Sequence, residues 1–382
     1  MDFTFNEQEQ RFADSVRRYA LTRLLPDYPK WDRGAAFPRE RVRELGQLGI
    51  TGLSIPAEYG GSDASFTMAG IAGEELGRGD ISTTLFLQVG MIGGSIARHA
   101  TETIKREWLP GLASGEKILA LGLTEPGAGS DAAALKTTAR RDGDHFVING
   151  EKASISLAGL ADGALVFART GGEGARGISV FLVPLDRPGV SRRVYRSAGE
   201  RLTQRGSLVF EDVRVPADHL IGQEGGAFYQ VMSAFDYNRA IIALACIGAA
   251  RQSLEETIEY TKRRETFGKP LAKNEGVSFQ IAEHLTILHA ARMLAYECLS
   301  RRDRGESHTK EAAMAKWLGP KAAVEAIHCC IILNGWMGYD QDLPHEQRLR
   351  DVMGLEIGDG TPEIMKSVIA RETFGREFLS YR

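Results

Sequence analysis

Leu123-Thr-Glu-Pro-Gly-Ala-Gly-Ser-Asp131 lies where the character of the chain changes. Before it, Phe5, Phe12, Val16 and Tyr19 recur at spacings of seven, four and three, an apolar helical stripe. After it come short runs of β-branched and aromatic residues. The stretch itself reads as a turn. Glycine has no Cβ and tolerates positive φ, so the backbone N–H groups here can come close to a ligand. Thr124 and Ser130 add hydroxyls that can serve carbonyl or ring-nitrogen acceptors. A tight loop without a ligand is the plainer alternative. A dinucleotide fingerprint does not fit, because position 132 is alanine and no βαβ pattern surrounds the glycines.

Working outward, residues 1–118 read as a helical domain, with a loop at Pro56 and Gly60-Gly61 and further helix from about Phe66. Residues 119–225 form a β-domain. Its runs are His145–Gly150, Gly163–Ala168, Ile178–Val183 and Ser207–Val213, bounded by Gly, Pro and Asp turns, which predicts a small barrel or sandwich. Residues 226–382 are helical again. Long Ala/Leu/Glu-rich segments at about 226–265, 274–303 and 308–333, joined by short loops, predict a four-helix bundle. The fold class expected is α+β, in the order helical, β, helical.

Composition narrows the function. A chain of 382 residues with 43% hydrophobic content can bury a large core. Its 47 basic and 50 acidic residues leave no electrostatic footprint for nucleic acid. The start, Met-Asp-Phe-Thr-Phe-Asn-Glu, lacks the basic and apolar regions of a secretory leader, and its acids argue against a transit peptide. The longest apolar run, Ala240–Ala250, is too short to cross a bilayer. A soluble cytoplasmic protein without a membrane partner is expected. Cys246, Cys298, Cys329 and Cys330 sit in apolar helical patterns, as inert core thiols do. Neither they nor the eight histidines have metal-ligand spacing, so no metal is expected.

Two further segments join the Thr124–Ser130 turn: Arg263-Arg-Glu-Thr-Phe-Gly-Lys-Pro270 and Gly358-Asp-Gly-Thr-Pro-Glu-Ile364. All three resemble, in order, signature segments of the FAD-dependent acyl-CoA dehydrogenase family, and the likeness runs from about Phe3 to Phe378. The resemblance implies an N-terminal α-domain, a middle β-domain and a C-terminal bundle that also builds the oligomer, a homotetramer. It implies FAD as cofactor, an acyl-CoA substrate and an electron-transfer flavoprotein as electron acceptor.

The resemblance also assigns residues. Leu121, Leu123, Thr124, Gly129, Ser130, Ser154 and Ser156 would contact FAD, Ser156 standing where a threonine meets the isoalloxazine near N5. Ser154 replaces the family's usual tryptophan, which puts solvent exclusion over the ring in doubt. Arg264, Thr266 and Phe267 would meet the pyrophosphate of a partner subunit's FAD, a task suited to arginine's planar fork. An exposed charge run at a helix end is the plainer reading of that segment. Trp336, Thr361 and Glu363 would also meet FAD. Thr361-Pro362 reads as N-cap and N1 of the last helix, an anion seat or a plain helix start. Asp236 and Arg239, three apart on one helix face, match the Asp-x-x-Arg that engages the acyl-CoA arm, an ordinary ion pair being the alternative. Ser130, Phe235 and Gly360 complete the substrate contacts, with Gln88–Met91 as a pocket floor.

Removing a hydrogen α to a thioester needs a base, and removing the β-hydride needs a cofactor as electron sink. The motif places Asp359 where most members carry glutamate as the base. By composition alone an Asp between glycines is a turn-former. Its carboxylate sits about 1.5 Å nearer the backbone than a glutamate's, and a misplacement of about 1 Å can cost on the order of 100-fold in rate. The short base therefore points to a differently placed substrate. Some members carry the base on the preceding long helix, where this chain has Asn238, which cannot act as one. Gly358 replaces an often aromatic residue and opens one wall, while Trp336 is expected to fill another. Ile332 replaces a glutamine beside the FAD diphosphate. An aspartate base resembles members acting on cyclohexane- or cyclohexene-carboxyl-CoA, and also nitroalkane oxidase, in which a basic residue follows at the place of Lys366. The expectation is dehydrogenation of a cyclic or branched acyl-CoA. The alternatives are a nitroalkane-type oxidase, a dehydrogenase of carrier-protein-bound acyl groups, and a non-catalytic flavin-loaded assembly protein.

Overall fold

Asn6 opens the first helix by capping it from both sides, its side chain accepting from Gln8 and Glu9 while the Glu9 carboxylate returns to the Asn6 N–H. In this computed structural model, residues 4–34 and 36–379 are described, without the side chains of Val89, Ala227 and residues 229–235. The first layer is helical: α1 (Glu7–Tyr19), α2 (Tyr28–Asp32), α3 (Glu40–Gln47), α4 (Phe66–Gly79), α5 (Thr84–His99) and α6 (Glu102–Ala113). The stripe read from the sequence is the buried side of α1, with Val16 fully buried and Phe5, Phe12 and Tyr19 packed at its edge.

The middle layer is one curled seven-stranded sheet. Its strands are β1 (Leu119–Gly122), β2 (Thr138–Asp142), β3 (His145–Ile155), β4 (Gly163–Arg169), β5 (Ile178–Pro184), β6 (Val190–Val194) and β7 (Gly206–Pro216). β4 takes β1 as a parallel neighbour and β5 as an antiparallel one, and meets β2 only at Arg169 opposite Thr138, so the sheet bends there. β4 and β5 are buried on both faces, which is why they read as continuous apolar runs. β2 and β6 carry Thr-Ala-Arg-Arg-Asp and Val-Ser-Arg-Arg-Val, exposed along most of their length. Neither shows the apolar pattern that marks a strand, so the sequence alone predicts none there.

The third layer is helical: α7 (Ala227–Arg263), α8 (Glu275–Asp303), α9 (Thr309–Leu333), the short α10 (Trp336–Tyr339), α11 (His345–Ile357) and α12 (Pro362–Phe374). The apolar run Ala240–Ala250 is buried on every side because α7 runs through the centre, against α4, α8, α9 and α11. Among the described residues no helix is long and apolar enough to cross a membrane. Two glycines set the depth of the crossing between α4 and α7. A Cβ on Gly77 would stand 2.2 Å from the Ala245 carbonyl oxygen, and one on Gly248 would stand 2.0 Å from that of Glu74. The buried Glu74 carboxylate ties the same crossing to α8, accepting from Arg292 Nε at 2.8 Å and Tyr296 Oη at 2.8 Å, with Arg251 of α7 completing the set. All four cysteines are buried free thiols.

Candidate active site

The edge of the sheet, the N-terminal half of α5 and the turn between α11 and α12 enclose a cavity of about 220 Å³. Leu121, Leu123, Thr124, Ser154 and Ser156 line it from the sheet, Gln88 from α5, and Asp359 from the turn. Six of the residues singled out for cofactor or catalysis thus share one wall-to-wall space.

The turn after β1 is anchored from behind. Lys152 of β3 is fully buried, and its Nζ donates to Glu125 Oε1 at 2.7 Å and to the Leu123 carbonyl at 3.2 Å. The Glu125 carboxylate also accepts the Lys136 and Thr137 N–H groups at 2.6 and 2.9 Å. Burial pulls the Lys152 ammonium down to about 8 although Glu125 opposes it. For Glu125 burial works upward, but Lys152 and the backbone donors prevail and hold it below its usual value. This pair fixes the Thr124 loop against the sheet.

On β3 the register against β7 slips between Lys152 and Ile155, leaving an extra residue on β3. Ser154 sits in that bulge at φ +57°, and Ser156 follows it into the cavity. Bulges re-aim side chains in this way. The Ser154 hydroxyl accepts from Arg205 Nη1 at 3.2 Å. The hydroxyls of Thr124, Ser130 and Ser156 have no hydrogen-bond partner among the described residues. A cavity walled by leucine and isoleucine, with unbonded hydroxyls at its rim, fits a flat heteroaromatic ring carrying polar edges.

On the opposite side, Asp359 and Gly360 both have positive φ, +58° and +111°. Aspartate tolerates this conformation better than most residues, and a Cβ on Gly360 would lie 2.4 Å from the Met365 methyl. Thr361 caps α12, accepting from the Ile364 N–H at 3.5 Å, with Pro362 at N1 as read from the sequence. Arg239 of α7 donates through Nε to the Asp359 carbonyl at 3.2 Å and pairs with Asp236 at 2.8 Å, while Thr309 donates to Asp236 at 2.7 Å. The ion pair held open as an alternative for Asp236 and Arg239 is therefore formed in the single chain. Lys316 of α9, almost completely buried, donates to the carbonyls of Gly360 at 3.2 Å and Glu356 at 3.4 Å. The Asp359 carboxylate itself accepts from Asn238 Nδ2. Burial raises the Asp359 carboxyl above its ordinary range, with Arg239, Asn238 and Lys316 opposing.

Other sequence-selected residues lie apart from the cavity. Gly129 and Ser130 are exposed on the loop and do not line it. Arg264 caps α7, and Thr266 ends the first strand of a short hairpin, Glu265–Pro270, whose tip holds Phe267, fully exposed at φ +50°. Trp336, expected to fill one wall, is 77% exposed in α10 and does not line the cavity. The reason is local: Gly335 at φ +64° turns the chain after α9, and Gly338 seats α10 on the Ile331 backbone, leaving the indole outside. Ile332 is likewise exposed. Glu363 is exposed in the first turn of α12, and the Lys366 ammonium lies over the Trp317 ring at 5.4 Å. The Phe235 side chain and that of Val89 fall outside the described residues.

Four residues of this site escaped the sequence reading. Lys316 carries no signal in its own segment, and Asn238 enters the sequence analysis only as a residue that cannot act as a base. Glu200 and Arg205 line the cavity from the loop before β7. Burial pushes the Glu200 carboxyl up to about 8, with Asp351 adding to it and Arg205 opposing. The only local signal for these two was charge in a segment, Gly199-Glu-Arg-Leu-Thr-Gln-Arg205, that precedes a strand.

Family patterns described as the N-terminal, middle and C-terminal domains of acyl-CoA dehydrogenase match residues 6–116, 120–213 and 225–374. The chain is 36% identical over 380 residues to the mitochondrial short-chain specific acyl-CoA dehydrogenase of Bos taurus, covering 98% of this chain and 91% of that one. Its fold matches butyryl-CoA dehydrogenase from Megasphaera elsdenii with a TM-score of 0.93 at 32% identity, over 97% of this chain and 99% of the other. A glutaryl-CoA dehydrogenase from Mycobacterium smegmatis in complex with FADH2 matches with a TM-score of 0.93 at 32% identity, over 99% and 97%.

Proposed function

The chain belongs to the acyl-CoA dehydrogenase family, and we propose that it oxidises a cyclic or branched acyl-CoA with Asp359 as the base. The observation that carries this reading is the position of Asp359 across one cavity from the Thr124 and Ser156 hydroxyls. The family and the FADH2-bound relative support FAD as the cofactor. Bound there, FAD supplies the electron sink for the hydride leaving the substrate β-carbon. Thr124, Ser156 and the frame held by Lys152 and Glu125 would orient it. Asp359 takes the α-proton onto its carboxylate, while Arg239 and Lys316 hold the backbone of its turn. The contacts from Arg264, Thr266 and Phe267 to a partner subunit's cofactor, and electron delivery to an electron-transfer flavoprotein, belong to the same reading.

The cyclic or branched acyl group rests on space and reach. A Cβ on Gly358 would meet only the Gly354 carbonyl oxygen, at 3.8 Å, so the wall beside the base is open. The base is a methylene shorter than glutamate, which suits a group whose α-carbon comes deeper. Anaerobic titration of the purified holoenzyme with a panel of acyl-CoAs tests this. Cyclohexanecarboxyl-CoA or a branched acyl-CoA should bleach the flavin faster than butyryl-CoA. Faster bleaching by straight chains would remove the substrate assignment, and hydrogen peroxide formed from a nitroalkane, with no bleaching by any acyl-CoA, would favour an oxidase.

A further inference from the structure

Asn238 faces the base from the middle of α7. Its Nδ2 donates to Asp359 Oδ2, the one side-chain hydrogen bond to that carboxyl among the described residues. The other end of the same amide, Oδ1, is buried and has no partner there. Neither nearby cation substitutes for it: Arg239 bonds the Asp359 backbone carbonyl, and Lys316 of α9 bonds the carbonyls of Gly360 and Glu356. Cys246 and Glu356 are the remaining titratable groups beside Lys316.

We propose that Asn238 is the positioning residue of the base, donating to the carboxylate before proton abstraction and, with its amide turned over, accepting from the carboxylic acid afterwards. The inference rests on Asp359 being that base. Its physical ground is the symmetry of the amide, whose donor and acceptor ends have nearly the same shape, so that a half-turn about the last side-chain bond exchanges them. A carboxylate only accepts, whereas a carboxylic acid also has an O–H to place, which an acceptor can receive. An arginine or lysine could serve only the first. The orphaned Oδ1 is the end the second state would use. No bond is made or broken by Asn238 itself: the proton moves from the substrate α-carbon to Asp359 and leaves from there.

The holoenzyme should be assayed by anaerobic flavin reduction across pH with the acyl-CoA that bleaches it best, for wild type, Asn238→Leu and Asn238→Ser. Leucine keeps the volume without either polar end, and serine is too short to reach. Both protonation states lose a bond in these variants, but the one to the ionised carboxylate is the stronger, so the carboxylate is disfavoured and the limb of the profile set by the base should move up by about one pH unit. On the acid side of that limb, where the rate still rises with pH, the rate at a fixed pH should fall on the order of tenfold, one pH unit being a factor of ten in the ionised fraction there. An unmoved limb in a variant that retains its flavin spectrum overturns the proposal. If the leucine variant does not take up FAD, the serine variant decides by the same limb. Asp359→Asn is the control: flavin reduction retained there would remove the base assignment, a failure distinct from an unmoved limb in the Asn238 variants.

Discussion

The two sides of the cavity are built to different degrees. On the helical side the proposed base, Asp359, is held in the single chain: Asn238 on its carboxyl, Arg239 on its carbonyl, Lys316 on the next carbonyl and Thr361 on the following helix. On the sheet side the frame is equally firm, through the buried Lys152–Glu125 pair, but Thr124 and Ser156 point unbonded hydroxyls into the space. One side is pre-organised for chemistry and the other for a ligand. The difference teaches where each part of the site obtains its stability. The Asp359 turn depends on helix–helix packing, whereas the hydroxyl rim makes no hydrogen bond within the chain and is free to serve a ligand in the cavity.

The largest test breaks the helical side. Asp359→Asn keeps the shape and removes the proton acceptor, so flavin reduction should fall by about 10²–10⁴-fold. Acyl-CoA binding, read from the perturbation of the flavin spectrum, should persist, and FAD should remain bound. Loss of FAD from this variant would mean that the two sides are not separable.

A smaller effect should come from the sheet side. Thr124→Ala combined with Ser156→Ala removes the two hydroxyls proposed to bond the cofactor, and should weaken FAD on the order of 10–100-fold in a titration of apoprotein. The apoprotein's own thermal midpoint should barely change, because these hydroxyls bond nothing in the chain. If the apoprotein is destabilised as much as FAD binding is weakened, the hydroxyls belong to the fold and the contrast between the sides is wrong.

How legible each side was in the sequence follows the same division. β3, β4, β5 and β7 were visible because burial on one or both faces leaves apolar runs. β2 and β6 were not, because their strand state comes from pairing with neighbours while their arginines face solvent. The Thr361-Pro362 start of α12 was legible because capping is a local interaction. Motif resemblance singles out Asp359 and Thr124, and both line the cavity. The supports of the base were not: Lys316 and Asn238 reach the turn only once α7, α9 and the α11–α12 junction pack, and no local pattern distinguishes a buried lysine under a turn from a solvated one. Trp336 shows the converse, a residue whose place in the family motif implies a pocket wall and whose backbone turns it outward.

The last and smallest effect concerns the carboxyl that shares the cavity with the base. Glu200, at φ +50°, donates its own N–H to Asp351 Oδ1 at 2.5 Å, and Tyr28 donates to the other Asp351 oxygen at 2.6 Å. Asp351, Asp80 and Arg205 are the charged groups that bear on it. In the unfolded chain Glu200 should titrate near 4.5, whereas burial in the folded chain holds it protonated up to about 8. The folded state therefore keeps a proton that the unfolded state has released across this window. Stability must fall as pH rises from about 4.5 to about 8, and level off above. One proton contributes a slope of at most about 1.4 kcal/mol per pH unit. Glu200→Gln mimics the protonated form, so in denaturant titrations it should match wild type near pH 4.5 and exceed it in stability at pH 8. Because Glu200 is already neutral where the Asp351 carboxyl titrates, raised to about 6 chiefly by burial, that carboxyl should titrate unchanged in the variant. A variant no more stable than wild type at pH 8 would show that Glu200 is already ionised in the folded protein, with Arg205 as its counter-charge. The sheet side would then hold a fixed ion pair facing the cofactor space rather than a neutral rim.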